Sequence, residues 1–263
     1  MSILAQILES TRADLERRRR SVPLASMRPA GDRAAHAFRD ALALPGISII
    51  AEHKRRSPSA GEIRPGSNVT EIARAYELGG AAAISVLTEE RNFGGCIEDL
   101  REAHAACRLP ILRKDFIVDS YQLAEAASAG ASAVLLIVAA LEQAELAALH
   151  EEAGELGLDV LVEVHDRAEL ERALTLGAPI IGINNRDLRD FSVDLERTFQ
   201  LLEAIGPDTL VVAESGIASR AQLEALQASG VHAALIGERL MRESDPADAL
   251  RRLLEGAPAP GSL

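Results

Sequence analysis

Eight times between residues 47 and 254, a short run of Val, Ile, Leu and Ala ends at a polar residue or glycine and gives way to a helical pattern. Runs that are apolar throughout, rather than alternating, are strands buried on both faces, as in parallel sheets with helical crossovers. Strands are expected near 47–52, 82–87, 110–114, 132–138, 158–163, 179–183, 209–214 and 232–236. Helices are expected over 68–79, 96–107, 119–129, 141–156, 166–176, 194–205, 218–229 and 244–254, several closed by glycines such as Gly130, Gly157 and Gly177. An open doubly wound sheet is the other α/β solution, but no GxGxxG follows the first strand and nothing interrupts the eightfold count. The fold expected is a closed (β/α)8 TIM barrel.

Residues 1–46 precede that pattern and are expected to form a helical extension packed on the barrel. Ile3, Leu4, Ile7, Leu8 and Leu15 recur at helical spacing, with Ser2 as a cap and the arginines at 17–20 as a solvated helix end. A second helix is expected over 34–44, stopped by Pro45-Gly46 before the barrel at 47–254 begins. The final EGAPAPGSL, 255–263, reads as a disordered tail.

A chain of 263 residues suits one barrel, and its formal charge of −12 argues against nonspecific binding to nucleic acid or anionic membrane. An anionic substrate therefore needs a local cationic site. Cys96 and Cys107 have neither disulfide-framework nor zinc spacing, and the six histidines form no ligand cluster, so no metal or cofactor is expected. The N-terminus lacks a cleavable hydrophobic core, and the longest apolar stretch, 133–141, is too short to span a bilayer. The expectation is a cytoplasmic protein acting on a small molecule, as a monomer.

In a parallel barrel the C-terminal strand ends share one rim, so residues far apart in sequence meet there. Those ends carry Glu52, Lys114, Glu163, Asn184 and Glu214, followed by Ser215-Gly216 and, after the last strand, Gly237. Glu52 shares a strand face with Ile50, Lys114 with Leu112, Glu163 with Leu161 and Glu214 with Val212. A lysine among carboxylates stays protonated and can donate to a developing oxyanion, a general acid and base set. Gly216 and Gly237 lie in the loops after strands seven and eight, where barrels bind phosphate through unobstructed backbone N–H groups. The polar segment after strand one reads as a lid, with Lys54 as an anion partner and Arg55 and Arg56 as surface charge. Arg186 offers a guanidinium for a carboxylate, while Asn185 and Asp187 read as a capping turn. Phe93 and Phe116 suggest a wall for a planar ring, and His165 reads as a loop residue.

In order along the chain, AEHKRRSPSAG, SVLTEERNFGG, ILRKDFIVD, VLLIV, LVEVHD, IGINNRDL, VAESGI and LIGE closely resemble the indole-3-glycerol-phosphate synthases of tryptophan biosynthesis. The resemblance runs from about Ile47 to Met241, and the N-terminal helices also resemble that family. It implies a carboxy-lyase that closes the ring of 1-(2-carboxyphenylamino)-1-deoxyribulose 5-phosphate, with decarboxylation and dehydration. It also implies Lys114 as general acid, Glu163 as its partner acid or base, and Glu52, Asn184 and Glu214 as further active-site groups. Lys54, Ser215, Gly216 and Gly237 would surround phosphate or carboxylate, Ser57 and Arg186 would contact substrate, and Phe93, Phe116 and Leu135 would line the aromatic pocket. Glu238 departs from the pattern, because some members carry a small Ser there and a carboxylate would repel phosphate unless turned away. The alternatives are a Schiff-base aldolase using Lys114, a phosphosugar isomerase, and a noncatalytic phosphometabolite-binding barrel.

Overall fold

The computed structural model describes residues 3–31, 34–187 and 190–255. Ser2 and residues 256–263, expected as a cap and a disordered tail, lie outside the described residues. Eight parallel strands close into a barrel: β1 Ser48–His53, β2 Ala83–Leu87, β3 Ile111–Lys114, β4 Ala133–Ile137, β5 Asp159–Val164, β6 Ile180–Asn184, β7 Leu210–Glu214 and β8 Ala233–Ile236. Each pairs with its neighbours in sequence, and β8 returns to β1 through Ser48–Ala233 to Ala51–Ile236. The crossover helices are α3 Val69–Gly79, α5 Ile97–Ala106, α6 Ser120–Ser128, α7 Gln143–Glu155, α8 Arg167–Leu176, α9 Glu196–Leu202, α10 Arg220–Ala228 and α12 Pro246–Leu254. Two short helices not anticipated from sequence, α4 Glu90–Phe93 and α11 Glu238–Arg242, follow β2 and β8.

The strands separate two apolar layers, because alternate side chains point to opposite faces. Ile50, Leu112, Leu161 and Val212 join Ala83, Ala133, Leu135, Ile180, Ala233 and Leu235 in the barrel interior, while Ile49, Val134, Val162 and Val211 pack with the helices outside. Glu52, Lys114, Glu163 and Glu214 share faces with the first four, so they continue the interior stack at its C-terminal end.

The two N-terminal helices cover opposite mouths. In α2, Ala37–Leu42, the Arg39 backbone N–H donates to Asp159 Oδ2 at 2.9 Å at the start of β5, and Phe38 and Leu42 are fully buried in the interior cluster. In α1, Ile3–Ser21, Asp14 accepts from Arg91 at 2.6 and 2.9 Å beyond β2, and Arg19 pairs with Asp119 beyond β3. The arginines at 17–20 are therefore not simply a solvated helix end, since Arg18 also donates to Glu125 of α6 at 2.9 Å.

That last contact joins α1 to a buried ionic network behind the site. Arg113, 1% exposed on the outer face of β3, donates to Thr88 Oγ1 at 3.1 Å, the Gln122 carbonyl at 2.7 Å, Asp115 at 2.9 Å and Glu125 at 3.1 Å. Thr88 also donates to Asp115 at 2.6 Å and Arg18 to Glu125, so both buried carboxylates are doubly engaged. Removing the guanidinium takes from buried Asp115 its ion pair and leaves Glu125 to Arg18, and breaking such a pair costs far more than it costs to replace both partners. Arg113→Ala is expected to lower unfolding free energy in urea at pH 7 by about 3 kcal/mol; a loss below about 1 kcal/mol would show that the network is not structural.

Candidate active site

A cavity of about 500 Å³ opens at the C-terminal rim. Every residue assigned from sequence to catalysis or substrate contact lines it: Glu52, Lys54, Ser57, Phe93, Lys114, Phe116, Leu135, Glu163, Asn184, Arg186, Glu214, Ser215, Gly216 and Gly237. They come from the ends of β1, β3, β5, β6, β7 and β8 or the segments just after them, with Phe93 on α4 beyond β2 and Leu135 midway along β4. Arg239 and Arg242 of α11 line it too, and were not foreseen because nothing in the sequence distinguishes them from ordinary helix-surface arginines.

At its floor, the Lys114 ammonium donates to Glu163 Oε2 at 2.7 Å and to Glu214 Oε2 at 2.8 Å. Glu163 Oε1 accepts from Asn184 Nδ2 at 3.2 Å, and Asn184 Oδ1 accepts from Ser215 Oγ at 2.8 Å. Burial lowers the pKa of Lys114, but Glu163, Glu214 and Glu52 together outweigh it and raise its pKa. The two carboxylates are driven apart. Burial raises the pKa of Glu163, but Lys114 and the neighbouring His165 more than offset this and hold it below the ordinary carboxylate range. Glu214 is pushed up to about 7 by burial and by the negative charges of Glu163 and Glu52, only partly opposed by Lys114. One of its oxygens, Oε1, is buried with no hydrogen-bond partner.

Glycines make room for these carboxylates. A β-carbon at Gly182 of β6 would fall 2.3 Å from Glu214 Oε1, and one at Gly237 would fall 2.3 Å from Glu52 Oε1. Gly237 thus has a steric duty towards β1 besides any role in its own loop. Gly216 follows Ser215 in a turn where both have positive φ, 80° and 64°, and a β-carbon there would meet Val193 at 2.5 Å. The turn is braced from below by Asn185, fully buried, whose amide donates to the Glu214 carbonyl at 2.9 Å and whose oxygen accepts from Thr198 at 2.7 Å. Asn185 is therefore a brace between β6, β7 and α9 rather than a capping turn.

Lys54 pairs with Glu52 at 2.6 Å near the β8 end. The segment after β1 forms a two-residue hairpin, Arg56–Ser57 with Gly61–Glu62, whose base is held by Arg55. That arginine donates to Asp99 at 2.5 and 2.7 Å and to the Ser67 and Gly94 carbonyls, so it is an anchor and not surface charge. Phe93 and Phe116 stand with ring centroids 6.2 Å apart at 40°, and Leu135 and Ile137 complete an apolar side of the cavity. Glu238 lines the opposite side, with its carboxylate held by Arg242 at 2.9 Å. His165, expected as a loop residue, is 10% exposed and lies 3.3 Å from Glu163.

The model of the family described as "Indole-3-glycerol phosphate synthase" matches residues 4–253. The chain is 49% identical over 261 residues to the indole-3-glycerol phosphate synthase of a Nocardioides species, covering 96% of this chain and 98% of the relative. It is 46% identical over 256 residues to that of Burkholderia ambifaria, covering 95% and 98%. The chain belongs to the indole-3-glycerol phosphate synthase family. Among solved structures, thiamine phosphate pyrophosphorylase from Pyrococcus furiosus superposes with a TM-score of 0.62 at 19% identity, covering 83% of this chain and 96% of that one. That likeness concerns the barrel alone.

Within this member of the indole-3-glycerol phosphate synthase family, Gly182 gives the sharpest test of the packing. Gly182→Ala places a methyl where the Glu214 carboxylate sits, and a displacement of about 1 Å in a catalytic group costs about 10²-fold. The variant is expected to keep its circular dichroism spectrum and lose turnover by about that factor; wild-type turnover would show that Glu214 does not need its observed place.

Proposed function

We propose that the Lys114–Glu163–Glu214 cluster carries out the ring closure, decarboxylation and dehydration that turn 1-(2-carboxyphenylamino)-1-deoxyribulose 5-phosphate into indole-3-glycerol phosphate. The observation that supports this best is the ammonium bridging two buried carboxylates at 2.7 and 2.8 Å beside an apolar wall. The aryl ring of the substrate lies along Phe93, Phe116 and Leu135. Its carboxylate and phosphate take Lys54, Arg186, Ser57 and the turn at Ser215, Gly216 and Gly237. Glu238 leaves room for the phosphate because Arg242 already holds it.

In the first phase the ring carbon bearing the carboxylate attacks the ketone carbon. Electrons move onto the carbonyl oxygen, and Lys114 donates the proton that makes it a hydroxyl. The new carbon–carbon bond is made with a ring π pair and leaves that ring carbon tetrahedral, and breaking its bond to the carboxylate releases carbon dioxide and returns an electron pair to the ring. In the second phase the hydroxyl departs as water with a proton from an acid, and a base takes the proton from the adjacent carbon to complete the indole. Glu163 is the partner acid or base of Lys114. Glu214, with a pKa of about 7, can give or accept a proton near neutrality, and Glu52 and Asn184 set the charge and orientation of the cluster.

A Schiff-base mechanism would need Lys114 as a neutral amine, and its two carboxylate partners oppose that. One copy of the chain holds every group named, so the site needs no second copy to be complete. Cys96 and Cys107 are not joined in a disulfide, which suits a cytoplasmic setting. No helix among the described residues is long and apolar enough to cross a membrane.

Formation of indole product, followed by fluorescence, tests the reading. Lys114→Ala and Glu163→Gln are each expected to fold and to lose single-turnover rate by about a hundredfold or more. Near-normal single-turnover rate in folded Lys114→Ala would remove the acid assignment.

A further inference from the structure

Ring closure by Lys114 raises a difficulty for its neighbour. While Lys114 is an ammonium, Glu163 is stabilised as an anion although it is only 2% exposed. Once the proton has moved to the substrate oxygen, that cation is gone, and burial alone favours a neutral carboxylic acid. Glu163 would then capture a proton meant for the reaction, unless a second cation remains.

His165 meets that need from the side away from the substrate. Its Nε2 is 3.3 Å from Glu163 Oε1, and its Nδ1 is 3.0 Å from Glu169 Oε2. Glu169 is itself fixed: the same oxygen accepts the His165 backbone N–H at 2.8 Å, and the Glu169 N–H donates to Asp166 Oδ1 at 3.0 Å at the start of α8. Turning the ring would break one ion pair or both. Burial pulls the His165 pKa down, but its interactions with Glu163 and Glu169 overcome this and push it up to about 10. Nε2 makes no aligned hydrogen bond, so its hold on Glu163 here is chiefly that of charge.

We propose that His165, clamped by Glu169, is a positioning residue that keeps Glu163 ionised and in place while Lys114 gives up its proton. This rests on the reading of Glu163 as the partner of Lys114. The groups facing the pair are Lys114 from β3, Asn184 from β6 and Glu214 from β7. Behind His165 lies a second cavity, lined also by Leu4 of α1, by Asp166, Arg167 and Glu169 after β5, and by Asp187, Arg197, Gln200 and Leu201 after β6. Its other cations have their own partners: Arg167 pairs with Glu171 at 3.2 Å, and Arg197 donates to the Asn184 carbonyl at 3.0 Å. Neither replaces an imidazolium at 3.3 Å.

The direction of the effect follows from charge. Removing a cation beside a carboxylate raises the carboxylate's pKa, so the protonated form persists to higher pH and the acid limb of the rate profile moves up. Because the carboxylates share Lys114, the limb belongs to the cluster and not to one residue. A simple loss of packing would lower the rate without moving this limb.

The test is the pH dependence of single-turnover rate in the full chain, with Glu163→Gln, His165→Gln and Glu169→Gln alongside wild type. His165→Gln is expected to slow turnover about tenfold or more with KM within about threefold. Its acid-side midpoint is expected to move up by about one pH unit. Glu169→Gln keeps an acceptor for the His165 N–H and is expected to move the midpoint the same way by less. A wild-type midpoint in either folded variant overturns the proposal, and if His165→Gln does not fold, Glu169→Gln decides it. An inactive Glu163→Gln beside unmoved midpoints overturns this inference alone, whereas an active Glu163→Gln overturns the reading of Glu163 and this inference with it.

Discussion

One ammonium shared between two buried carboxylates governs the chemistry of the rim. Lys114 cannot be neutral without taking from Glu163 and Glu214 the one cation they share, among groups almost wholly removed from water. Nor can both carboxylates behave alike, because a single cation does not compensate two anions equally once Asn184 and His165 side with Glu163. The result is one carboxylate held ionised and another poised near neutrality, a separation of roles produced by environment rather than by residue type.

Holding that arrangement demands stiffness on three sides. Beneath Lys114 the strand is pinned from outside by Arg113, which joins β3 to α6 and, through Glu125, to α1. Beside Glu214 and Glu52 the constraint is negative: Gly182 and Gly237 are small so that the carboxylates can lie against neighbouring strands. Above the floor, Asn185 and Asn184 tie the turn at Ser215-Gly216 to β6, which fixes its backbone relative to Lys114, Glu163 and Glu214. The N-terminal helix is part of this frame, since Asp14, Arg18 and Arg19 attach it to segments that follow β2 and β3.

Much of this was legible in the sequence because a parallel barrel converts position along the chain into position in space. An apolar run ending in Glu, Lys or Asn names a rim residue, and pairing Glu52 with Ile50 or Lys114 with Leu112 identified the face, though only the closed interior showed that the face points inward. What stayed hidden were contacts between strands. The need for Gly182 arises from a side chain 32 positions later, and the anchoring of Arg55 arises from Asp99 across a helix start. His165 looked like a loop residue because its significance lies in two carboxylates, one of them four residues onward on α8. One signal went unread: the chain has only two lysines, Lys54 and Lys114, and both line the cavity, while every other basic side chain apart from histidine is arginine.

That scarcity makes the central claim directly measurable. In protein labelled with ¹³C at lysine Cε, only two resonances arise, and Lys54→Arg assigns the remaining one to Lys114. With two carboxylates on its ammonium, Lys114 is expected to keep its ammonium signal past the ordinary lysine pKa of about 10.4. Deprotonation of Lys114 below about pH 9 in the folded protein would contradict it, because an amine neutral there is not the buried cation on which the two carboxylates depend.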